Sequence, residues 1–447
     1  MMRPLTVCAV LLALTAGVAN AAPVDTGAAA SLDAVMQALP LVAADPARPE
    51  AVHNAVAVVE DRAGALLFGR GVGPARDGQP ALITPDDQFP IASVTKTMTA
   101  TIILQLAEEG AFGATGLDTT LGSLGVLPPE VLARLLIHQG RAYGAGLTLR
   151  QLLAHRAGLR DVFMDDARET SDARHGEAAP DSLGGVLLAG LGAHRQCLAT
   201  PGCDVAKLVT GRTWRPWDAR RPTDPQAGVL NFFLNYKGGA TNALFAPGAG
   251  YHYSDTGYII LGLVIEKVTG GTLHQAYRAR LFDPLGMGHS YLDYAVAPAA
   301  AAYTSREADF YIGDFAGRTG KFNISFDWAG GGVVSTASEL NRFIRALGEG
   351  RLFRKPETLA LMLTPHLREE RNGLIVERGL GVARLTTADG ISCYGHTGFW
   401  GAIMLYEPST GISLAGTLNQ VGHNPAGWAI ELMRAARAQR PPASAGQ

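Results

Sequence analysis

Apolar residues recur along this chain with two different periods, and the switches between them lay out its elements. His53–Glu60 reads as a strand, Asp61-Arg62-Ala63-Gly64 as a turn and Ala65–Gly69 as the returning strand, which together predict a hairpin. From Ser93 to Glu109 the apolar positions Val94, Met98, Ile102 and Leu106 fall at helical intervals, and Gly110 supplies the stop. Shorter helical patterns cover Ala28–Pro40, Leu149–Ala154 and Glu339–Leu347. A strongly apolar one runs over Tyr258–Val268 to Gly270-Gly271, and an amphipathic one closes the chain at Ala426–Ala438. Gly379–Thr386, Ile391–Gly395, Ala402–Tyr406 and Ser413–Leu418 read as successive strands, with turns at Ala388-Asp389-Gly390 and Pro408-Ser409-Thr410-Gly411. Strands thus lie at both ends with helices between, so a sheet has to be assembled from the two ends of the chain. Residues 160–240, charged, broken by Pro and Gly and carrying Trp214 and Trp217, read as an irregular, mostly helical insertion.

The first residues bear on the compartment. Met1-Met2-Arg3 precedes an apolar run from Leu5 to Val18 and then Ala19-Asn20-Ala21. That is a positive start, an apolar run shorter than the roughly 20 residues that span a bilayer, and an A-x-A cleavage site. Residues 1–21 are expected to be a signal peptide. A single domain over 28–440 and a disordered tail at 441–447 follow, with no membrane anchor, and the protein is expected to be exported to a periplasm or the medium.

Cysteine usage points the same way. Cys8 leaves with the signal, while Cys197 and Cys203 bracket the turn-prone Leu-Ala-Thr-Pro-Gly and are expected to pair in an oxidising compartment; two free thiols are the alternative. Cys393 then reads as a small buried hydrophobe. Neither C-x-x-C nor H-E-x-x-H occurs, so no metal or cofactor is expected. Lys+Arg 38 against Asp+Glu 40 gives a net charge of −2, without the basic surplus that nucleic acid or an anionic membrane would require.

Three short clusters carry chemistry. Ser93-Val94-Thr95-Lys96 opens the helix at 93–109. Residues three apart share a helical face, the helix start favours an incipient alkoxide, and a buried lysine can serve as a base. The same residues also suit an N-cap serine with a solvated lysine. Tyr253-Ser254-Asp255 leads into the apolar helix; a loop tyrosine there can be a phenolate base or proton relay if cations lower its pKa, or a plain half-buried aromatic. His396-Thr397-Gly398 follows the strand Ile391–Gly395. Thr397 can hydrogen-bond a carboxylate, Gly398 allows close backbone approach, and the Phe399 N–H could join that of Ser93 as an oxyanion hole. A strand end with a satisfied histidine is the bland alternative.

In this order, S-x-x-K, Y-S-D and H-T-G resemble the serine penicillin-recognising enzymes, that is, class C β-lactamases, DD-peptidases and related esterases. Phe89-Pro90-Ile91-Ala92, Leu152–Leu159, Phe282–Met287 and Ala329–Leu340 are similar to segments of that family, and the resemblance covers residues 50–160 and 244–420. It implies an α+β fold (an α/β sandwich): a central antiparallel sheet built from N- and C-terminal segments, flanked by helices. A mostly helical region at 110–330 would be inserted, with the nucleophile at the junction. It implies Ser93 as the acylated nucleophile, Lys96 as its activator and Tyr253 as the relay returning a proton to the leaving group. His396, Thr397 and Gly398 would hold a substrate carboxylate, and the Ser93 and Phe399 amides the oxyanion.

Two departures from the family pattern matter. Where the second motif usually ends in Asn, Asp255 can only accept when ionised, and its charge should raise the Lys96 pKa and weaken amide recognition. Reading Ser254-Asp255-Thr256 as the S-D-N of class A enzymes is rejected, because Ser93 lies far upstream and Tyr253 has a ready role. Where β-lactamases have Lys, His396 is expected to be only partly charged at neutral pH. H-T-G occurs among DD-peptidases, so a D-Ala-D-Ala carboxypeptidase or peptidase ranks first, a related esterase or amidase close behind, and a β-lactamase third. A non-catalytic penicillin- or peptidoglycan-binding relative is the competing class. The expected partner is a small molecule or peptide, including peptidoglycan-derived ones.

Overall fold

The computed structural model describes residues 31–45, 48, 50–168, 178–237, 241–293, 306–371 and 373–439; the expected signal peptide and the tail at 441–447 lie outside them. The N-terminal hairpin forms β1 (Ala55–Glu60) and β2 (Leu66–Val72). Six further strands come from the C-terminal part: β3 (Leu367–Arg371), β4 (Leu374–Arg378), β5 (Ala383–Thr387), β6 (Ser392–Thr397), β7 (Ala402–Glu407) and β8 (Ile412–Thr417). Their order in the sheet is β3-β4-β5-β6-β7-β8-β1-β2. The closing pair is antiparallel, with Val56 opposite Thr417, so the two ends of the chain meet in one antiparallel sheet.

Strand alternation divides the apolar side chains between two cores. Ala57, Val59, Ile403, Leu405, Ile412 and Leu414 face α1 (Leu32–Gln37) and α5 (Pro425–Ala438). Val56, Val58, Met404, Tyr406 and Ala415 face the opposite side. There α2 (Val94–Glu108) and α4 (Ala337–Gly348) lie on the sheet, and α3 (Asp255–Thr269) packs against α2. The result is the expected α+β sandwich.

The structure departs from the sequence reading at four places. The helix over 28–40 is confined to Leu32–Gln37 among the described residues. The strand expected over 379–386 begins only at Ala383, because Gly381 takes a positive φ of 68°. The hairpin of β3 and β4 was missed: Arg368, Glu369, Glu370, Glu377 and Arg378 give this sheet edge a charged character that masks its period. Across 160–240 the described residues form three short α-helices, Leu183–Ala189, Leu191–Leu198 and Val229–Asn235, and a 3-10 turn at Val205–Lys207, joined mainly by turns rather than a mostly helical insertion. Cys197 and Cys203 are bridged there with Cα atoms 5.3 Å apart, and Cys393 is buried in β6.

Candidate active site

Helix α2 is buried on all sides from Val94 to Leu104, and its polar side chains tie the site together. The Thr99 hydroxyl donates to the Ala329 carbonyl (2.7 Å), and the Thr95 hydroxyl accepts the Val333 N–H (3.2 Å). These bonds hold the segment 329–333 along the helix, and the Gly330 carbonyl accepts from Lys96 Nζ at 2.8 Å. Just ahead of α2, Ala92 sits at φ +44°, a region that costs a non-glycine residue of order 1–3 kcal/mol and persists where packing enforces it.

Ser93 occupies the N-cap position but makes no capping bond; its Oγ accepts from Lys96 Nζ at 2.9 Å. Lys96 is wholly buried and ion-paired with Asp255. An N-cap serine with a solvated lysine is therefore not what the chain builds. Burial works against the Lys96 ammonium, but Asp255, Asp327 and Asp161 outweigh it and hold its pKa above the usual lysine value. The effect expected of Asp255 on Lys96 is present.

Tyr253 lies against the same amine, with Lys96 Nζ 5.0 Å from the ring centroid. Its hydroxyl is buried without a hydrogen-bond partner among the described residues. Burial, then the charge of Asp255, push the phenol well above its ordinary pKa, while the Ser93 hydroxyl is the group that favours the phenolate. Both effects favour the neutral phenol, the form in which Tyr253 can act as a relay.

His155, within one of the recognised segments but given no role from sequence, supports Tyr253. Its ring stacks on the tyrosine at 4.2 Å, and its Nδ1 accepts the Ser254 N–H at 3.0 Å. Burial and the Lys96 charge keep it neutral, as an accepting Nδ1 requires. Asp161 Oδ2 accepts the Asp255 N–H at 2.9 Å, and the Arg160 carbonyl accepts from the Ser254 and Thr256 hydroxyls. Loop 160–162 thereby fixes the start of α3. These contacts run between segments about 95 residues apart, beyond the reach of local pattern.

The third cluster sits at the end of β6. A β-carbon on Gly398 would collide with the Ile91 carbonyl, so glycine is what lets this turn approach the loop carrying Ser93. The turn is closed by Gly398 N–H to the Ala402 carbonyl (2.7 Å) and Gly401 N–H to the Gly398 carbonyl (2.9 Å). Neither the Phe399 nor the Ser93 N–H donates to another group among the described residues, leaving both available to an oxyanion. His396 departs from expectation: burial, then Lys96, drive its pKa down to about 3, so it is neutral rather than partly charged at pH 7. Its Nδ1 lies 2.6 Å from the Thr397 carbonyl and donates to it. Arg378 lines a small pocket with His396 and Thr397.

Beside Ser93 opens a narrow, predominantly apolar cleft. Phe163, Leu187, Phe322, Phe326, Phe399 and Trp400 wall it, while Asp255 and Asp327 are the ionisable residues lining it. Neither the walls from 163–188 and 312–327 nor Asp327 was legible as a pocket, because the lining residues come from segments far apart in the chain.

The model of the family described as Beta-lactamase matches residues 41–436. The chain belongs to the Beta-lactamase family. Among relatives of this Beta-lactamase family member, the lovastatin esterase of Penicillium rubens is 25% identical over 251 residues, 54% of this chain and 48% of that protein. A putative D-alanyl-D-alanine carboxypeptidase of Escherichia coli (strain K12) is 24% identical over 249 residues, 47% and 55% of the two chains. These matches span about half the length of the curated relatives. The crystal structure of a D-stereospecific amidohydrolase from Streptomyces sp. superposes with a TM-score of 0.63 at 25% identity, covering 90% of this chain and 98% of that one.

Proposed function

We propose that the protein is an exported serine hydrolase that cleaves esters of hydrophobic acyl groups through an acyl-enzyme on Ser93. The observation that carries this reading is the aromatic cleft, lined by no cationic side chain among the described residues, opening directly on Ser93. Ser93 Oγ attacks the acyl carbon, and its proton moves to Lys96 Nζ only as the ammonium hands one of its own protons to Asp255. The Ser93 and Phe399 amides take the charge that develops on the carbonyl oxygen. The neutral Tyr253 phenol donates to the departing alkoxide. Water then repeats the sequence in reverse and frees the acid. A lovastatin esterase among the relatives supports the esterase assignment. The bridged cysteines and the A-x-A segment at 19–21 support export.

The order of preference given by the motifs changes because of His396. A neutral imidazole supplies no charge for a substrate carboxylate, which a carboxypeptidase needs. That second reading, hydrolysis of D-Ala-terminated peptides, retains one specific support: Arg378 beside His396 and Thr397 can furnish the missing cation. Side-by-side hydrolysis of a p-nitrophenyl acyl ester, a D-Ala-D-Ala peptide and a chromogenic cephalosporin tests the choice. The ester should be turned over fastest; preference for the peptide would overturn it in favour of the second reading.

A further inference from the structure

Asp327 belongs to none of the three motifs, yet it lines the same cleft as Ser93 and Asp255. The point that a β-carbon on Gly330 would occupy is 2.7 Å from Asp255 Oδ1, 3.0 Å from Asp327 Oδ1 and 3.5 Å from Lys96 Nζ. Three ionisable groups therefore converge on the space that this glycine leaves open. The Asp327 carboxylate also folds so closely over Gly331 that a β-carbon there would collide with it. Trp328, which follows Asp327, holds φ +40°, a strained value for a tryptophan that the surrounding packing enforces. Backbone strain and two bare glycines thus aim Asp327 at the Lys96–Asp255 pair.

Two oxygens there are left over. Asp255 Oδ2 and Asp327 Oδ1 are buried and accept from no donor among the described residues, although Asp255 is 1% exposed. A single proton held between the carboxyls would satisfy both, whereas two adjacent carboxylates would repel. The groups facing them are Lys96 from α2, Asp161 beneath the start of α3, Tyr253 and Tyr258 around the amine, and Tyr277 beyond Asp327.

We propose that Asp327 is the terminal proton acceptor of a relay running from Ser93 through Lys96 and Asp255. It acts through Lys96 and Asp255 and not directly on the reacting atoms. The proposal rests on the hydrolase reading above and says where the proton of Ser93 goes when the lysine is already charged. As the Ser93 Oγ–acyl bond forms, the carbonyl pair moves onto the oxyanion, Lys96 gives one of its own protons to Asp255 and its nitrogen takes the hydroxyl proton in that proton's place. The carboxyl pair keeps the proton it received, on Asp327. The lysine remains an ammonium, the serine has lost one proton and the carboxyl pair has gained one. When the acyl–oxygen bond to the leaving group breaks, Tyr253 protonates the alkoxide and is refilled from the pair through Lys96. No other reactant is needed.

Burial, then Asp255, push Asp327 up to about 8, so the pair empties in the mildly alkaline range and is then ready to receive. The test is the pH profile of kcat/KM for an acyl ester in the wild type, Asp327→Asn and the double variant Asp255→Asn/Asp327→Asn. Fluorophosphonate labelling of Ser93 gives the active fraction of each. The wild-type rate should rise through pH 8. In Asp327→Asn the rise should move at least about one pH unit higher, making the rate near pH 7 about tenfold lower while the alkaline plateau is kept. In the double variant, where Lys96 no longer faces Asp255, the rise should return to lower pH. A structural role would lower the rate equally at every pH, and an unmoved profile in labelled Asp327→Asn would overturn the relay alone. A wild type that neither reacts with the probe nor turns over ester overturns the hydrolase reading and the relay together.

Discussion

The Lys96 ammonium and the Asp255 carboxylate form an ion pair closed to solvent from both sides, 0% and 1% exposed. A pair this deeply buried is costly to break from one side, of order 3–5 kcal/mol when a partner is removed. Because the lysine pKa is raised in the folded chain, the pair stabilises the fold below the ordinary lysine value near 10.4, and its contribution is lost as the pH rises through the higher folded value.

Asp255→Asn is the informative change to this pair. It should lower the melting temperature at pH 7 and lower the Lys96 pKa. Asn both donates and accepts, so the ratio of amide to ester hydrolysis should rise. Thermal melts and kcat/KM on a matched ester and amide measure both effects. An unchanged ratio would show that acceptor-only chemistry at this position does not set the preference.

Tyr253→Phe separates catalysis from stability. The tyrosine hydroxyl has no hydrogen-bond partner among the described residues, so its removal should leave the melting temperature unchanged or slightly higher. The loss of the relay should slow turnover by about 10²–10⁴-fold. Full activity in Tyr253→Phe would move the relay to another group.

Acid should weaken the fold through two histidines that it holds neutral, the buried His155 and the half-buried His396. His396 is driven down to about 3 and His155 well below its ordinary 6.5, so the unfolded chain binds protons that the folded chain refuses. Stability should therefore be full above pH 6.5 and fall as the pH drops from there toward 3. His396→Gln should flatten part of that fall in a series of melts. Over pH 5–8 the wild-type KM for a carboxylate-bearing substrate should not follow any titration of His396.

The cleft sets a preference for acyl chain length. Each added methylene that enters its aromatic walls is worth about 0.8 kcal/mol, a gain of about fourfold in kcat/KM until the space is filled. Trp400→Ala should reduce the rate for long acyl chains more than for acetate. Equal loss on both would place the acyl group elsewhere.

The strands β1, β2 and β6–β8 and helices α2–α5 were legible because each carries a strong period or a clear stop, as Gly110 after α2 and Gly270 after α3. Ser93 and Lys96 were legible for the same reason, three residues apart on one helix. Tyr253 and His396 came from motif order, since nothing local brings them to Ser93. What stayed hidden was built from distant pieces: His155 stacked under Tyr253, Asp161 beneath α3, Asp327 facing Asp255, and cleft walls drawn from segments more than a hundred residues apart. The downward shift of His396 was not legible because its desolvation and its nearness to Lys96 arise only in the folded sheet.

The central claim, an acyl-enzyme on Ser93, is tested most directly by rapid acid quench of the protein during turnover of a short acyl ester, followed by intact mass and peptide mapping. The account expects a mass increase of one acyl group on the peptide carrying Ser93, absent from Ser93→Ala and nearly absent from Lys96→Ala. Turnover of the ester with no acyl group on that peptide, or an undiminished rate in Ser93→Ala, would contradict it.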